Sequence, residues 1–173
     1  MEKGYFQIYT GTGKGKTTAA LGLAMRAAGA GFRIYIGQFI KSLRYHEIGV
    51  LCDRFLEVTV ELYGDEGCIA GREPDERDIK AARCGLETAR KAVTGGEYDL
   101  VILDEIFIAL YFGIIAEEEI LALAKDKAPG TELVMTGRYA TPGIIEAADL
   151  VTDMNDVRHY YSQGVLARDG IER

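Results

Sequence analysis

The chain has 173 residues, of which 48% are hydrophobic, and this size and composition predict one domain with an ordinary buried core. Its formal net charge of -7 at pH 7 argues against nucleic acid as a principal partner, because phosphate-backbone binding needs a basic stripe that this sequence does not show. The sequence shows neither a signal-peptide pattern nor an apolar run near the ~18 residues that cross a bilayer. We therefore expect a soluble, cytoplasmic protein with no membrane partner.

The first predicted element is a strand ending at Thr10, which leads directly into the glycine-rich turn GTGKGKTT and then into a helix. This order of elements is typical of a phosphate-binding loop, in which backbone N–H groups surround phosphate oxygens at the positive end of the helix. Thr10 stands where the standard pattern has a glycine. A dinucleotide-binding GxGxxG motif is excluded, because Lys16 stands where its third glycine is required. The segment therefore predicts ATP binding, the alternative being a glycine-rich turn without a ligand.

Three side chains of this loop carry the predicted chemistry. Lys16 places a point charge against the phosphates, and the Thr17 hydroxyl can ligate Mg²⁺. Lys14 adds further positive charge to the loop.

Strand and helix signals alternate through the rest of the chain, which predicts an α/β fold. We expect a mostly parallel central sheet of about six strands with helices on both faces, as in the P-loop NTPase (RecA-like) fold. The further predicted strands are Arg33–Phe39, Glu57–Leu62, Asp99–Leu103, Glu132–Thr136 and Leu150–Met154. The predicted helices are Thr17–Ala30, a long helix from Pro74 to Gly95, Ile106–Phe112, Glu117–Lys125 and Thr141–Ala148.

Periodicity places Leu21, Ala24, Met25 and Ala28 on the buried face of the first helix, and Ile79, Ala82, Leu86, Ala89 and Val93 on that of the long helix. The remaining segments have weaker signals. The stretch 40–54 is a long loop or short helix, 63–73 is a polar loop, and 157–173 is irregular or a hairpin.

Asp104 and Glu105 close a nearly continuous apolar strand, the kind that is buried in the centre of a parallel sheet. The carboxyl ends of neighbouring parallel strands share one crevice, so this pair is predicted to lie beside the phosphate loop. One carboxylate would hold Mg²⁺ directly or through water, and the other would orient a reacting group. The alternative is a solvated acidic pair that starts a helix.

Two arginines are further candidates for contact with the nucleotide. Arg138 follows the fifth strand and points toward the same crevice, although a surface ion pair explains it almost as well. Arg26 lies on the first helix, where solvation alone accounts for it unless a resemblance assigns it a role.

The three cysteines, Cys52, Cys68 and Cys84, are odd in number and lack CxxC spacing. This pattern argues against a disulfide framework or a zinc site, and we expect reduced thiols. His46 and His159 are isolated, and neither has a catalytic role from sequence alone.

Over nearly its whole length the chain resembles the ATP:corrinoid adenosyltransferases of the phosphate-loop type. These enzymes attach a 5′-deoxyadenosyl group to the cobalt of corrinoids in adenosylcobalamin biosynthesis and salvage. The family's loop also lacks the first glycine of the standard pattern. The motifs that carry the resemblance occur in order as TGTGKGKTTAALGLAMRAAGAG, QFIK, YDLVILDEI, ELVMTGR, ADLVTDM and RHYYSQGVLARDGIE.

The resemblance implies a single phosphate-loop nucleotide-binding domain over residues 1–173 that uses ATP as a substrate. A cobalt(I) corrinoid attacks the ribose 5′ carbon and triphosphate leaves intact, so the protein positions the carbon and stabilises departing charge. The resemblance further implies Mg²⁺, a corrinoid such as cobalamin or cobyrinic acid a,c-diamide, a flavoprotein as electron donor, and a homodimer.

Roles carry over by position. Lys16, Asp104 and Glu105 are the implied catalytic residues, and Thr17 and Glu105 surround Mg²⁺. Residues 38–41 and 158–168 would border the corrinoid. The implied nucleotide contacts are Gly11, Thr12, Gly13, Lys14, Gly15, Lys16, Thr17, Thr18, Arg26 and Arg138.

The chain departs from well-studied members in two places. They carry an N-terminal helical extension over the corrinoid, whereas here the first strand begins within about five residues of Met1, so we expect that lid to be absent or supplied by another segment. They also place Phe and Trp after the third strand, where this chain reads YGDEGCIAGRE, with Tyr63 or Ile69 as weak substitutes and Cys68 as a thiol.

Two other functions stay open at this point. A phosphate-loop ATPase or small-molecule kinase would use Asp104 and Glu105 for phosphoryl transfer and release inorganic phosphate or ADP. A non-catalytic nucleotide-binding switch would bind ATP without turnover and act by ordering residues 40–54.

Overall fold

The computed structural model describes residues 2–64 and 73–172, and these residues build one six-stranded sheet. The strands are β1 Phe6–Thr10, β2 Ile34–Phe39, β3 Val58–Tyr63, β4 Leu100–Asp104, β5 Glu132–Thr136 and β6 Leu150–Asp153. They lie in the order β3-β2-β4-β5-β1-β6, and every pairing is parallel. The predicted α/β fold with a parallel sheet is confirmed.

Helices follow the strands in alternation. They are α1 Lys16–Gly29, α2 His46–Arg54, α3 Glu76–Thr94, α4 Ile106–Tyr111, α5 Glu117–Asp126 and α6 Pro142–Ala147, with a 3₁₀ turn at Tyr160–Gln163. The stretch after β2 therefore contains a short helix, one of its two predicted forms. Between β6 and residue 172 the described chain contains no strand, so this segment, the C-terminal tail, is irregular and not a hairpin. The predicted loop contacts Cys68 and Ile69 lie outside the described residues.

The sheet is covered on both faces, and side chains alternate between two cores as the strand pleat requires. Val101 and Leu103 of β4 join the core under α3, α4 and α5. Leu100 and Ile102 join the core under α1 and α2. The phosphate-loop helix α1 and the short helix α4 therefore lie on opposite faces of the sheet.

Two predicted core positions are wrong. Met25 on α1 and Ile79 on α3 are exposed, because each lies one residue, about 100° of helical rotation, beside the buried stripe. Ala24 and Ala28 hold the stripe on α1. On α3 the buried residue is Asp78 instead of Ile79, and its side chain accepts a hydrogen bond from the Asp75 N–H in a capping box.

Two further observations bear on the sequence-based expectations. Cys52 and Cys84 carry free thiols. None of the helices within residues 2–64 and 73–172 combines the length and apolarity that a bilayer crossing requires.

Candidate functional site

The phosphate loop connects the carboxyl end of β1 to α1. Gly11 has φ +94°, and a Cβ there would lie 2.3 Å from both Asp153 Oδ1 and the Met154 carbonyl oxygen, so only glycine fits. The Gly13 N–H donates to the Met154 carbonyl at 2.7 Å. The end of β6 therefore supports the loop from the side opposite β5.

Lys16 is 6% exposed, and its ammonium group lies inside the loop rather than in solvent. Its Nζ donates to the carbonyls of Gly11 at 2.8 Å and Gly13 at 2.6 Å. Burial lowers the pKa of Lys16, while the negative charges of Glu105 and Asp104 act in the opposite direction. The loop thus holds a poorly solvated cation at its centre, which suits binding of an anion.

Asp104 organises a cluster of polar side chains from four different segments, and we call Thr17, Gln38, Lys41, Asp104 and Thr136 the Asp104 cluster. Asp104 Oδ1 accepts from the Thr17 hydroxyl at 2.9 Å and the Thr136 hydroxyl at 2.7 Å. Its Oδ2 accepts from Gln38 Nε2 at 2.9 Å and Lys41 Nζ at 2.7 Å. Each oxygen of this fully buried carboxylate therefore accepts two hydrogen bonds, which is the full acceptor capacity of the group.

The charge on Asp104 is stabilised in spite of its burial. Burial acts to raise its pKa, but Lys41 and the two hydroxyl donors outweigh burial and hold the pKa of Asp104 below its ordinary value. Burial likewise opposes the charge on Lys41, and the Asp104 carboxylate raises the pKa of Lys41. The pair is therefore ionised at neutral pH.

Glu105 follows Asp104 but has different surroundings. Its N–H donates to Thr136 Oγ1 at 2.9 Å, whereas its Oε2 is buried and has no hydrogen-bond partner. Burial and the neighbouring Asp104 raise the pKa of Glu105, although Lys41, Lys16 and Arg138 act against this rise. A buried carboxylate oxygen without a partner lacks a cation or donor that the site is built to accept.

Backbone strain marks the same two strand ends. Ile40, after β2, and Glu105, after β4, both have φ 58°, a left-handed conformation that is unusual for a residue with a side chain. Such residues cost of order 1–3 kcal/mol each and concentrate at functional sites. Here the two turns hold Lys41 against Asp104 and place Glu105 beside it.

The other predicted nucleotide contacts lie at different distances from this centre. Arg138 is exposed at the end of β5, and its charge acts on both Lys16 and Glu105. Thr12 and Thr18 are exposed on the loop and on the first turn of α1. Arg26 lies ten positions after Lys16 on the exposed surface of α1, about 15 Å along the helix axis. Within one chain the structure does not bring Arg26 to the loop.

Lys14 contacts the C-terminal tail. Its Nζ donates to Glu172 Oε1 at 2.9 Å and to the Tyr160 hydroxyl at 3.2 Å. Arg168 contacts the same carboxylate through Nε at 3.2 Å and a terminal nitrogen at 3.1 Å. Arg168 and Tyr160 thereby lower the pKa of Glu172 below its usual range. We call Lys14, Tyr160, Arg168 and Glu172 the tail network.

Sequence reasoning missed how two strand ends complete the site. The sequence patterns do not single out Thr136, and the resemblance predicts that Gln38 and Lys41 border the corrinoid rather than bind Asp104. The available signal is that Gln38 and Thr136 are polar residues at the ends of predicted apolar strands, and in the structure Gln38 pairs in register with Asp104 across β2 and β4. Polar residues at the carboxyl ends of adjacent parallel strands converge on one crevice.

The donor groups fit Mg²⁺. The Thr17 hydroxyl and the unpartnered Glu105 oxygen are hard oxygen ligands of the type that Mg²⁺ takes, and the Asp104 carboxylate fixes the Thr17 hydroxyl. In the described part of the chain no three His, Cys, Asp or Glu side chains gather into a metal site. That arrangement suits an ion held by one or two protein groups, with substrate phosphates completing its shell.

Comparisons with known proteins agree on one family. A family model described as ATP:corrinoid adenosyltransferase BtuR/CobO/CobP matches residues 2–173. A corrinoid adenosyltransferase of Pseudomonas aeruginosa is 36% identical over 172 residues, covering 99% of this chain and 84% of the relative. Similar proteins of the same name occur in Sinorhizobium (33% identity, 99% and 81% covered) and Escherichia coli K12 (32% identity, 99% and 86% covered).

Proposed function

We propose that this chain, which belongs to the ATP:corrinoid adenosyltransferase family, uses the site at the carboxyl edge of its sheet to adenosylate a corrinoid in cobalamin biosynthesis. The cobalt(I) centre supplies an electron pair to the 5′ carbon of ATP, a Co–C bond forms, and the C5′–O5′ bond breaks. Triphosphate leaves with the bonding electrons, and cobalt ends formally as cobalt(III). No proton needs to be removed from the nucleophile.

One observation carries this proposal beyond family membership: the phosphate loop lies beside a carboxylate that is already fully hydrogen-bonded. A kinase needs a carboxylate that accepts the proton of an attacking hydroxyl. Asp104 has four donors and a lowered pKa, so it is not available as that base, and the unpartnered Glu105 carboxylate is assigned in this proposal to Mg²⁺ rather than to a proton. Alkyl transfer to cobalt needs charge stabilisation and positioning instead, and these are what the site supplies.

The residues divide this work. Lys16 and the loop N–H groups bind the triphosphate and stabilise the charge that develops as it departs. Lys41 keeps Asp104 ionised, and Asp104 in turn orients the Thr17 hydroxyl. Arg138 adds positive potential from the β5 side. Thr12, Lys14 and Thr18 belong to the proposed nucleotide contacts as weaker contributors, whereas Arg26 lies too far along α1 to be one of the contacts made within one chain.

Mg²⁺ belongs to this proposal. Thr17 and Glu105 would hold it, with Asp104 fixing the Thr17 hydroxyl. When bound, the ion would neutralise part of the triphosphate charge. Glu105 would then gain the cation that its buried oxygen lacks, which explains why the chain tolerates a carboxylate with a raised pKa.

The test is an anaerobic incubation of the protein with Mg-ATP and chemically reduced cobalamin, following cobalt(I) absorbance and identifying the phosphate product. We expect a light-sensitive adenosylated corrinoid and one intact triphosphate for each corrinoid. The Lys16→Ala variant serves as the inactive control. Release of inorganic phosphate or ADP without a change in the corrinoid would overturn the proposal in favour of an ATPase or kinase.

The remaining proposals concern the electron donor, the oligomeric state, the location and the preferred corrinoid. The resemblance supports a flavoprotein as electron donor, a homodimer and a cytoplasmic location. Replacing the chemical reductant by a reduced flavoprotein tests the first, and light scattering of the purified protein tests the second. Parallel assays with cobalamin and cobyrinic acid a,c-diamide identify the preferred corrinoid.

A further inference from the structure

Gln38 carries a buried polar atom that the proposed chemistry does not use. Its side chain is fully buried, and its Nε2 donates to Asp104 Oδ2 at 2.9 Å. Its side-chain carbonyl oxygen, Oε1, is buried as well and has no hydrogen-bond partner among the described residues. Within that part of the chain, Glu105 Oε2 is the one other buried side-chain atom in this condition. Buried polar groups in native proteins are nearly always hydrogen-bonded, so such an atom beside a substrate site indicates a donor that the ligand supplies.

The charge on Asp104 fixes the orientation of the Gln38 amide. Asp104 is ionised, because its pKa lies below the ordinary value, and an ionised carboxylate only accepts hydrogen bonds. The amide nitrogen of Gln38 must therefore face Asp104, and the carbonyl oxygen must face away from it. The reversed amide would place two acceptors against each other in a buried position. The atom without a partner is thus the acceptor, and the group that it requires is a donor.

The sheet places this acceptor on the nucleotide side. Ile36 of β2 belongs to the core under α1 and α2, and side chains alternate along a strand, so Gln38 lies on the same face. The same alternation after Ile102 of β4 puts Asp104 on that face. The helix α1 begins there, and the Thr17 hydroxyl of its first turn donates to Asp104 Oδ1 at 2.9 Å. Gln38 therefore shares Asp104 with the hydroxyl that is proposed to ligate Mg²⁺.

A hydrated metal ion supplies the kind of donor that this acceptor requires. Mg²⁺ keeps several waters when it is held by one or two protein groups and by substrate phosphates. Its charge makes these waters strong hydrogen-bond donors, and in a buried site they need acceptors. Asp104 cannot accept from them, because both of its oxygens already accept two hydrogen bonds. Gln38 Oε1 and Glu105 Oε2 are the buried side-chain acceptors that have no partner in the described chain.

We propose that Gln38 is a positioning residue for the metal: its side-chain carbonyl accepts a hydrogen bond from a water molecule of the Mg²⁺ shell, while its amide nitrogen holds Asp104. This inference rests on the Mg-ATP site of the proposed function, and it adds a residue that contacts neither the ion nor the phosphates. A neutral amide suits this position, because it orients the water without adding a third negative charge beside Asp104 and Glu105.

The test measures how much Mg²⁺ tightens ATP binding, by equilibrium dialysis of radiolabelled ATP with excess Mg²⁺ or with EDTA. The ratio of the two dissociation constants reports metal binding in the complex. Gln38→Met has a side chain of similar size without the carbonyl, so the ratio should fall about tenfold while the affinity for metal-free ATP stays unchanged. Thr136→Val is the matched control, because it also removes one neutral donor to Asp104, at 2.7 Å, but no unpartnered acceptor. Its ratio should stay within about threefold of the parent's.

Gln38→Asn replaces Gln38→Met if the methionine variant does not fold, because an amide shortened by one methylene cannot reach both Asp104 and the metal shell. Either variant overturns the inference if it folds and keeps the parent's ratio. An equal loss of ATP affinity with and without Mg²⁺ overturns it in favour of a direct contact between Gln38 and the nucleotide. A fall of the ratio in Thr136→Val as large as in Gln38→Met overturns it as well, since the effect would then act through Asp104.

The parent protein separates this inference from the proposed function. The ratio is obtained without a corrinoid, so a failure of the anaerobic transfer assay overturns the proposed adenosylation alone. A parent whose affinity for ATP is the same in Mg²⁺ and in EDTA overturns the role of Gln38 and the proposed Mg²⁺ site together.

Discussion

Asp104 and Glu172 each hold a lysine and a hydroxyl group beside the same phosphate loop, but in opposite surroundings. Asp104 is fully buried and binds Lys41, Thr17 and two further donors. Glu172 lies on the C-terminal tail with its side chain 14% exposed, and it binds the more exposed cations Lys14 and Arg168. The Asp104 cluster and the tail network thus contain similar groups on two sides of one loop.

Burial determines which of these two similar networks the site depends on. A buried ion pair that loses one partner leaves an uncompensated charge, which costs about 3–5 kcal/mol. A solvent-facing pair is screened by water and salt, and its loss changes little. Substitutions in the Asp104 cluster should therefore affect both folding and turnover, whereas the tail network should adjust nucleotide affinity only slightly.

The largest expected effect separates the two lysines of the loop. Lys16→Ala should lower turnover by about a thousandfold, because the buried ammonium at the loop centre has no substitute. Lys14→Ala should raise KM for ATP by only about two- to fivefold, because its charge is already paired with Glu172. Steady-state transfer assays on the two variants measure turnover and KM for ATP, and they compare two lysines that lie two residues apart in one loop. Equal losses would show that Lys14 leaves the tail to bind phosphate as strongly as Lys16 does.

The next effect concerns the centre of the buried cluster. Asp104→Asn should destabilise the protein by about 3 kcal/mol, since Lys41 loses its counter-charge. For a chain of this size that corresponds to a fall in Tm of about 10 °C, measured by thermal denaturation. Asp126→Asn, an exposed aspartate at the end of α5, is the control and should leave Tm unchanged.

The pH dependence of this effect has a definite sign. The pKa of Asp104 is lower in the folded chain than its ordinary value of 3.8, so the stability it contributes is complete above that value. It is lost as the pH falls through the folded pKa. The difference in unfolding free energy between parent and Asp104→Asn should therefore stay constant from pH 7 to about pH 4. A difference that already shrinks between pH 7 and pH 5 would contradict an ionised, salt-bridged Asp104.

The contribution of Glu105 to stability should change with pH in the opposite direction to that of Asp104. Its pKa is raised by burial and by Asp104, so its charged form is destabilising above that raised pKa, and the penalty disappears as the pH falls toward its ordinary value of 4.5. Glu105→Gln should raise Tm by about 2–4 °C at neutral pH while lowering turnover about tenfold with little change in KM for ATP. A variant that is less stable at pH 7 and equally active would show that Glu105 is a structural residue.

The sheet and the position of the site could be predicted from the sequence, but the partners of Asp104 at the strand ends could not. The alternation of apolar runs and turn residues predicts the parallel sheet, and the loop motif with the Asp104–Glu105 pair predicts one crevice. The individual partners could not be predicted, because they depend on register and on two left-handed residues, Ile40 and Glu105. No local pattern indicates that Glu105 or the β-branched Ile40 adopts that conformation.

The tail was unpredictable for a different reason. Its contacts join residues more than 140 positions apart, and the charges of the segment do not indicate which part of the chain it contacts. Nothing in the sequence likewise indicates that the rings of Tyr111 and Tyr139 stack, with their centroids 4.1 Å apart. Their stacking follows from the packing of Gly137 on Phe107, which only the assembled sheet determines.

The smallest expected effect concerns the tail network. Glu172→Gln removes a negative charge beside the phosphate loop and frees Lys14, so KM for ATP should fall about two- to threefold at low ionic strength. The decrease should vanish at high salt and in the Lys14→Ala background, because both remove the interaction that the substitution changes. Glu146→Gln, an exposed glutamate on α6, should leave KM unchanged. If KM rises instead at every salt concentration, the tail network orders the nucleotide site through position rather than charge, and the two carboxylates are more alike than their surroundings suggest.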